Sequence, residues 1–180
     1  YRDLLRENPI KELPGVRNLL TALRDAGIPS VVGSSTPRRN LEVSIELLGL
    51  EGFFHDLVSS DDVTNGKPDP EVFLKAAERI DRAPGRCVVF EDSLHGIEAG
   101  LAGGMKVVGV ATTHKAEKLA AADKIVVDDW HQSVHSDRVL ARMHREGLVT
   151  RDSIHGEFGS VVAGHLPGRE AVDEEWEVLF

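Results

Sequence analysis

The sequence predicts an α/β protein built on a mostly parallel, Rossmann-like sheet. Short apolar runs bounded by turn residues alternate along the chain with segments whose apolar residues recur at helical spacing. Such alternation is typical of right-handed crossovers between parallel strands. The organising run extends from Cys87 to Phe90 and leads directly into two acidic residues, Glu91 and Asp92. Because ligands of parallel sheets bind beyond the carboxyl ends of the strands, these acids mark the expected site.

Prolines and glycines delimit the elements that come before this strand. A proline at position 14 opens a helix and Gly27 ends it, and Gly49 ends the next helix. Two prolines forbid regular structure around Lys67, so its surroundings are predicted to be a loop. The predicted elements are a helical piece over 1–8, a helix over 14–27, a strand over 28–33, a helix over 40–48, a strand over 57–59, a loop over 65–70 and a helix from Pro70 capped by Asp69.

The pattern continues after the strand and then changes. A helix from about His95 to Gly103 and strands over 106–110 and 124–127, joined by a helical segment over 116–122, complete the predicted sheet. Beyond Trp130 the rhythm changes to helical patterns at 134–146 and 151–163, a turn at Pro167-Gly168 and an acidic, aromatic end over 174–180. The sequence therefore predicts a core over 1–129 and a C-terminal helical appendage over 130–180.

Composition narrows the classes of function. The net charge of −9 disfavours nucleic acid and anionic membranes as partners, and 41% hydrophobic with 28% charged residues is typical of a soluble globular protein. No apolar run approaches the roughly 20 residues that a membrane-spanning helix needs. The single cysteine, Cys87, cannot form an intrachain disulfide, which predicts a reducing, cytoplasmic location.

Three predicted strand or loop ends carry groups suited to a phosphate and a metal ion. Ser34, Ser35 and Thr36 follow the strand over 28–33 and offer hydroxyl and amide donors. Lys67 supplies a point charge that can neutralise a developing anion. Glu91 and Asp92 suit Mg2+, which favours one or two carboxylates together with water and substrate phosphate.

Each of these residues also has an ordinary structural interpretation. Ser34 and Thr36 could simply terminate a strand in a turn, and Asp92 or Ser93 could cap the helix that follows. Arginines 38 and 39 are more often surface charges than ligands. His95 and His114 are interpreted as bystanders at element ends.

Three motifs taken together resemble the haloacid dehalogenase superfamily, and within it the β-phosphoglucomutase-like phosphatases and mutases. They are VVGSST, GKPDPEVF and VVFEDSLHGIEAGLAGGM, and the resemblance extends over about residues 1–123. It implies Mg2+, an aspartyl-phosphate intermediate and a small phosphorylated metabolite as substrate. By position it implies that Ser34 binds the transferring phosphoryl group, Lys67 stabilises it, Glu91 and Asp92 organise the metal, and Thr36 and Arg38 contact phosphate or substrate.

One part of the family pattern has no counterpart in this sequence. Members of the superfamily carry the nucleophile on a first strand that ends in an Asp-x-Asp-Gly type motif, and no such motif is present. The resemblance therefore implies a sheet truncated at its N-terminus, with a vacancy between the strand over 28–33 and the organising strand. Either the nucleophile of the phosphohydrolase comes from outside this chain, or the chain is a non-catalytic remnant that keeps a phosphate- and Mg2+-binding pocket.

The C-terminal part has a resemblance of its own. From about 122 to 180 the chain is similar to a segment of the ornithine cyclodeaminase/μ-crystallin family, most specifically at VVAGHLPGRE, which leaves a fragment of an NAD-linked enzyme as a further alternative. One apolar helix face is too little for an independent core. We therefore expect the appendage to dock onto the sheet layer or to mediate self-association. The alternative is that 176–180, a plausible strand, enters the vacant central position.

Overall fold

The described residues form a parallel α/β sheet with helices packed against it. The computed structural model describes residues 10–13, 15–126 and 177–179. Six strands lie in the order β2-β1-β6-β3-β4-β5, and every neighbouring pair is parallel. The predicted fold class is therefore confirmed. The elements are α1 (Val16–Asp25), β1 (Ser30–Gly33), α2 (Arg38–Leu48), β2 (Asp56–Val58), α3 (Glu71–Arg79), β3 (Cys87–Glu91), α4 (Leu94–Ala102), β4 (Lys106–Val110), β5 (Lys124–Val126) and β6 (Glu177–Leu179), with 3-10 turns at Ser60–Asp62, Pro84–Arg86 and Ala116–Leu119.

Helix termination explains why β1 begins two residues later than its apolar run. Gly27 has a φ of 71° and its amide donates to the carbonyl of Arg24, while the amide of Ile28 donates to that of Leu23. This pair of bonds closes the last turn of α1 around a left-handed glycine. Ile28 is buried as part of that closure, so the strand proper starts at Ser30.

The core lies where the middle strands meet α3 and α4. Val31, Val89 and Val107 are completely buried in one cluster with Phe73 of α3, and Val88 is completely buried as well. Gly100 of α4 sits so close to the sheet that a Cβ there would lie 2.7 Å from Cγ2 of Val107. These contacts fix the carboxyl edge of the sheet relative to the two helices whose first turns border it.

The C-terminal strand β6 lies in the middle of the sheet, between β1 and β3. Val178 is paired with Ser30 of β1 and with Val88 of β3. For Glu177–Leu179 the expected docking as an appendage is therefore wrong. The structure instead has the alternative, in which this segment enters the central position of the sheet. Buried strand edges need backbone partners on both sides, which explains the insertion.

Several expectations lie outside the described residues. They include the helical piece over 1–8, the predicted helices over 134–146 and 151–163, and nearly all of the segment that resembles ornithine cyclodeaminase. The division at 129/130 stays a prediction. Among the residues that the structure does describe, no helix is long and apolar enough to cross a membrane.

Candidate functional site

Polar side chains that follow β1, β3 and β4 lie at the same edge of the sheet. Ser34 directly follows β1, Glu91 ends β3 and Asp92 follows it, and Thr112 comes just after β4. Because all the strands run in the same direction, their carboxyl ends share this edge. Lys67 reaches the same edge from the loop before α3.

A nearly buried ion pair between Lys67 and Glu91 forms the centre of the site. The Lys67 Nζ atom lies 2.6 Å from Oε2 of Glu91, and the two side chains are only 13% and 9% exposed. The ammonium group also lies 4.5 Å from the centroid of the Phe73 ring. Such a cation–aromatic contact adds attraction where water is largely excluded. Lys67 is therefore a positioned charge rather than a solvated loop lysine.

The other oxygen of Glu91 is committed to the first turn of α4. Oε1 accepts from the backbone amides of Asp92 and Ser93, at 3.2 and 3.0 Å, and from the Ser93 hydroxyl at 2.8 Å. With Lys67 on Oε2, both carboxylate oxygens of Glu91 have protein donors. The predicted metal pair is thus not equivalent, because Glu91 is engaged in holding Lys67 and the strand-to-helix turn.

A glycine makes room for this arrangement. A Cβ on Gly96 would lie 2.0 Å from Cδ of Glu91 and 2.2 Å from its Oε2, far inside van der Waals contact. The Gly96 amide in turn donates to Oγ of Ser93 at 3.0 Å. Ser93 is therefore the helix cap that the sequence left open between Asp92 and Ser93, and Asp92 is not used for capping.

The turn after β1 offers fewer free donors than the sequence suggested. The Ser34 amide donates to the Val58 carbonyl at 2.8 Å, and the Thr36 amide donates to Oγ of Ser34 at 3.1 Å. The hydroxyl proton of Ser34 and the amide of exposed Ser35 have no acceptor among the described residues. A Cβ on the preceding Gly33 would lie 3.0 Å from Cδ1 of Phe73, whose ring the Lys67 ammonium group contacts. Phe73 thus joins the end of β1 to the lysine.

The predicted phosphate contact of Arg38 has a competing structural engagement. Its Nη2 donates to the Leu57 carbonyl at 2.6 Å and to Oδ2 of Asp62 at 3.0 Å. Asp62 also accepts from the amide and the hydroxyl of Ser59, at 2.8 and 2.6 Å. The Ser59 bonds, followed by Arg38, lower the pKa of Asp62 to about 2 against the opposing effect of burial. These contacts favour a structural role for Arg38 at the β2 edge.

Glu71 ties the loop that carries Lys67 to α3. Its carboxylate accepts from the backbone amides of Thr64 and Asn65 and pairs with Lys75. The Lys75 bond and then the two amide bonds lower the pKa of Glu71 to about 2. Asp69 accepts from the Glu71 amide at 2.9 Å, but α3 begins at Glu71 with Pro70 at the cap position, one residue later than predicted. The loop is thus fixed on both sides of Lys67.

Two threonines that the sequence analysis passed over contact Asp92. The hydroxyls of Thr112 and Thr113 both donate to its Oδ2 atom, the former at 3.1 Å. No protein group among the described residues donates to Oδ1. The signal was present in the sequence as a hydroxyl pair directly after a predicted strand end, but it pointed to no particular partner before β3 and β4 were known to be neighbours.

The donor set of this edge fits Mg2+ only in part. Half-buried Asp92 offers one carboxylate oxygen that has no donor in the described part of the chain, and a single carboxylate suits an ion that completes its shell with water and phosphate. In the described ranges no three histidine, cysteine or acidic residues are clustered closely enough to hold a metal by themselves. A bound Mg2+ would therefore depend on ligands in addition to Asp92.

Sheet and site together define an α/β protein with an ordered lysine, hydroxyls and carboxylates at the carboxyl edge. The family model of the haloacid dehalogenase-like hydrolases matches residues 1–104 of the 180, which is more than half of the chain. The chain belongs to this family. The family resemblance that the three motifs carried is thereby confirmed.

Individual relatives include phosphatases and phosphomutases. The chain is 40% identical over 111 residues to the phosphorylated carbohydrates phosphatase of Thermotoga maritima, covering 61% of this chain and 49% of that protein. It is 33% identical over 147 residues to the β-phosphoglucomutase of Bacillus subtilis, covering 81% and 60%. The β-phosphoglucomutase structure from Clostridium difficile superposes with a TM-score of 0.69 at 28% identity, covering 82% and 63%. The chain thus spans less than two thirds of each relative.

Proposed function

We propose that this chain forms the phosphate-binding side of a phosphatase or phosphomutase that acts on a small phosphorylated metabolite with Mg2+. The observation that carries the proposal is the Lys67–Glu91 pair, only 13% and 9% exposed, at the carboxyl edge that Ser34 also borders. Phosphoryl transfer requires mainly positioning and charge neutralisation, which such a group of side chains can provide. The names of the relatives support the substrate class.

Each residue takes a separate part in this proposal. The Ser34 hydroxyl donates to an oxygen of the transferring phosphoryl group, and the Lys67 ammonium neutralises the charge that develops there. Glu91 holds Lys67 in place, and Ser35 offers its free amide to the same phosphate. Asp92 would hold Mg2+, which when bound supplies further neutralisation of phosphate charge.

The carboxylate nucleophile that the family mechanism requires is proposed to come from a segment other than the described residues. The acidic groups nearest in sequence already have other partners. Asp62 accepts from Ser59 and Arg38, Asp61 accepts from the Arg38 amide, and Asp69 accepts from the Glu71 amide. A covalent route also needs a placed nucleophile, because it divides one difficult step into two easier ones.

The proposal is tested first by binding. Titration with inorganic phosphate, measured by calorimetry, should show weaker phosphate binding for Lys67→Ala than for the parent chain. Lys106→Ala is the matched control, because Lys106 begins β4 at the opposite edge and pairs with Asp123. Equal phosphate affinity in the two variants would refute the assignment of Lys67.

Activity separates an enzyme from a non-catalytic remnant. We expect the chain alone to hydrolyse an aryl phosphate with Mg2+ far more slowly than the same chain extended by the upstream segment with an Asp-x-Asp-Gly type motif. In the extended chain, Lys67→Ala should abolish most of the turnover. An extended chain that folds, binds phosphate and still shows no turnover would favour the remnant.

A reducing compartment also agrees with the environment of Cys87. Its thiol is completely buried on β3 and lies 3.6 Å from the Ala83 carbonyl. We propose a cytoplasmic location on this basis. The proposal is tested by locating a tagged full-length protein in fractionated cells.

A further inference from the structure

Asp92 is held from one side by hydroxyl groups of the neighbouring strand end. Glu91 is paired with Gly109 in the register of β3 and β4, so the turns that follow these strands lie next to each other. The Thr112 amide closes its turn by donating to the Val110 carbonyl at 2.9 Å. This turn brings two consecutive hydroxyl groups to the same carboxylate.

Both hydroxyls donate to the same oxygen atom. Thr112 and Thr113 each bond Oδ2 of Asp92, while Oδ1 has no donor among the described residues. A carboxylate oxygen has two lone pairs, so the two hydroxyls use the acceptor capacity of Oδ2. A cation approaching Asp92 therefore meets one available oxygen, not two.

This asymmetry matters because divalent cations differ in how they use carboxylates. Ca2+ takes six to eight oxygens in flexible geometry and often binds both oxygens of one carboxylate, whereas Mg2+ demands near-octahedral geometry and keeps several waters. A carboxylate restricted to one oxygen suits the geometry of Mg2+ and denies Ca2+ its two-oxygen mode.

We propose that Thr112 and Thr113 are positioning residues that restrict Asp92 to one-oxygen coordination and so favour Mg2+ over Ca2+ at this site. The inference rests on the proposed function in so far as Asp92 is the metal ligand. Hydrogen bonds to the oxygens of ligating carboxylates commonly change metal affinity by about 10- to 100-fold when removed.

A purely structural role for the threonines predicts a different result when their hydroxyls are removed. If the two bonds only tied the turn after β4 to the turn after β3, removing them would lower stability and leave cation preference unchanged. Both threonines are exposed, so substitution by valine, which has a similar shape, removes the hydroxyls without disturbing the core. Substitution by serine keeps the hydroxyls and serves as the matched control.

The experiment measures competition for bound Mn2+. Free Mn2+ is followed by electron paramagnetic resonance while Mg2+ or Ca2+ is added to the parent chain, to T112V/T113V, to T112S/T113S and to D92N. The unfolding midpoint of each protein is measured in parallel. We expect T112V/T113V to lower the preference for Mg2+ over Ca2+ by about tenfold, and T112S/T113S to retain it.

The outcomes separate this inference from the proposed function. If D92N loses the Mn2+ site but T112V/T113V keeps the parent preference for Mg2+, the role of the threonines is overturned while Asp92 stands. If D92N binds Mn2+ as the parent does, the metal assignment of Asp92 fails and this inference fails with it. A change of preference in T112V/T113V that is absent from T112S/T113S supports the inference, whatever happens to stability.

Discussion

Substituting Gly96 by alanine should disrupt the contacts that hold the Glu91 carboxylate while leaving the helix α4 itself in place. An alanine Cβ at this position would lie 2.0 Å from Cδ of Glu91, so the carboxylate must leave its place. It would then lose its bonds to Lys67, to the Ser93 hydroxyl and to the amides of the turn. Because the pair is nearly buried, its loss removes charge-assisted bonds from both partners at once.

The expected magnitude is a balance of two opposing effects. Breaking a buried ion pair costs about 3 kcal/mol at the lower end of its range, which applies here because neither side chain is completely buried. Replacing glycine by alanine in a helix contributes about 1 kcal/mol in the opposite direction. We therefore expect Gly96→Ala to lower the free energy of unfolding by about 2 kcal/mol, and to weaken phosphate binding because Lys67 is released.

A double-mutant cycle makes the reasoning testable by sign. In a Glu91→Ala background the obstructing side chain is gone, so the same Gly96→Ala change should stabilise the protein by about 1 kcal/mol. Urea unfolding followed by circular dichroism measures all four proteins. Gly100→Ala is the control, because its Cβ would meet Val107 at 2.7 Å and should destabilise both backgrounds. An equal loss from Gly96→Ala in both backgrounds would refute the argument.

Three further predictions concern the supports of the site. Asp62→Asn should lower the free energy of unfolding by about 2 kcal/mol at pH 7, because the bonds from Ser59 lower the pKa of Asp62 from 3.8 to about 2. This difference is complete above pH 4 and should shrink as the pH falls toward 2, which urea titrations at several pH values measure. Glu71→Ala should weaken phosphate binding severalfold by freeing the loop of Lys67, whereas Glu78→Ala, an exposed change on the same helix, should leave it unaltered in calorimetry. The amide of Val178 should exchange with deuterium as slowly as those of β3, and fast exchange there would contradict the central placement of β6.

The fold was largely predictable because local sequence patterns indicate a parallel α/β topology. Apolar runs, helical periodicity and glycine stops identified β1 through β5 and the helices α1 to α4, whereas the segment predicted as helical over 116–122 is a 3-10 turn at Ala116–Leu119. The observed ends of an element differ from the predicted ends where a hydrogen bond that the sequence pattern does not reveal sets the boundary. Ile28 reads as strand by hydrophobicity but closes α1 through its amide. Val178 could be placed only by knowing that β1 and β3 lack a partner between them, which is a property of the sheet and not of the local sequence.

The site residues were predictable by type, whereas their division of labour was not. Glu91 and Asp92 are adjacent acids at one strand end and look equivalent in the sequence. Their difference lies in the contacts that the two side chains make, which depend on the fold and not on the local sequence. One carboxylate turns to Lys67 and the first turn of α4, while the other faces the threonines after β4.

This division gives the two acids separate sensitivities. Glu91 acts on phosphate through Lys67, so its effect should follow the lysine and depend little on divalent cation. Asp92 keeps one oxygen to which no described residue donates, so its effect should appear only where a cation is present. Gly96, by allowing Glu91 to fold back onto the helix, is what lets neighbouring residues take different tasks. The glycine after the acidic pair is therefore as much a part of the site as the acids themselves.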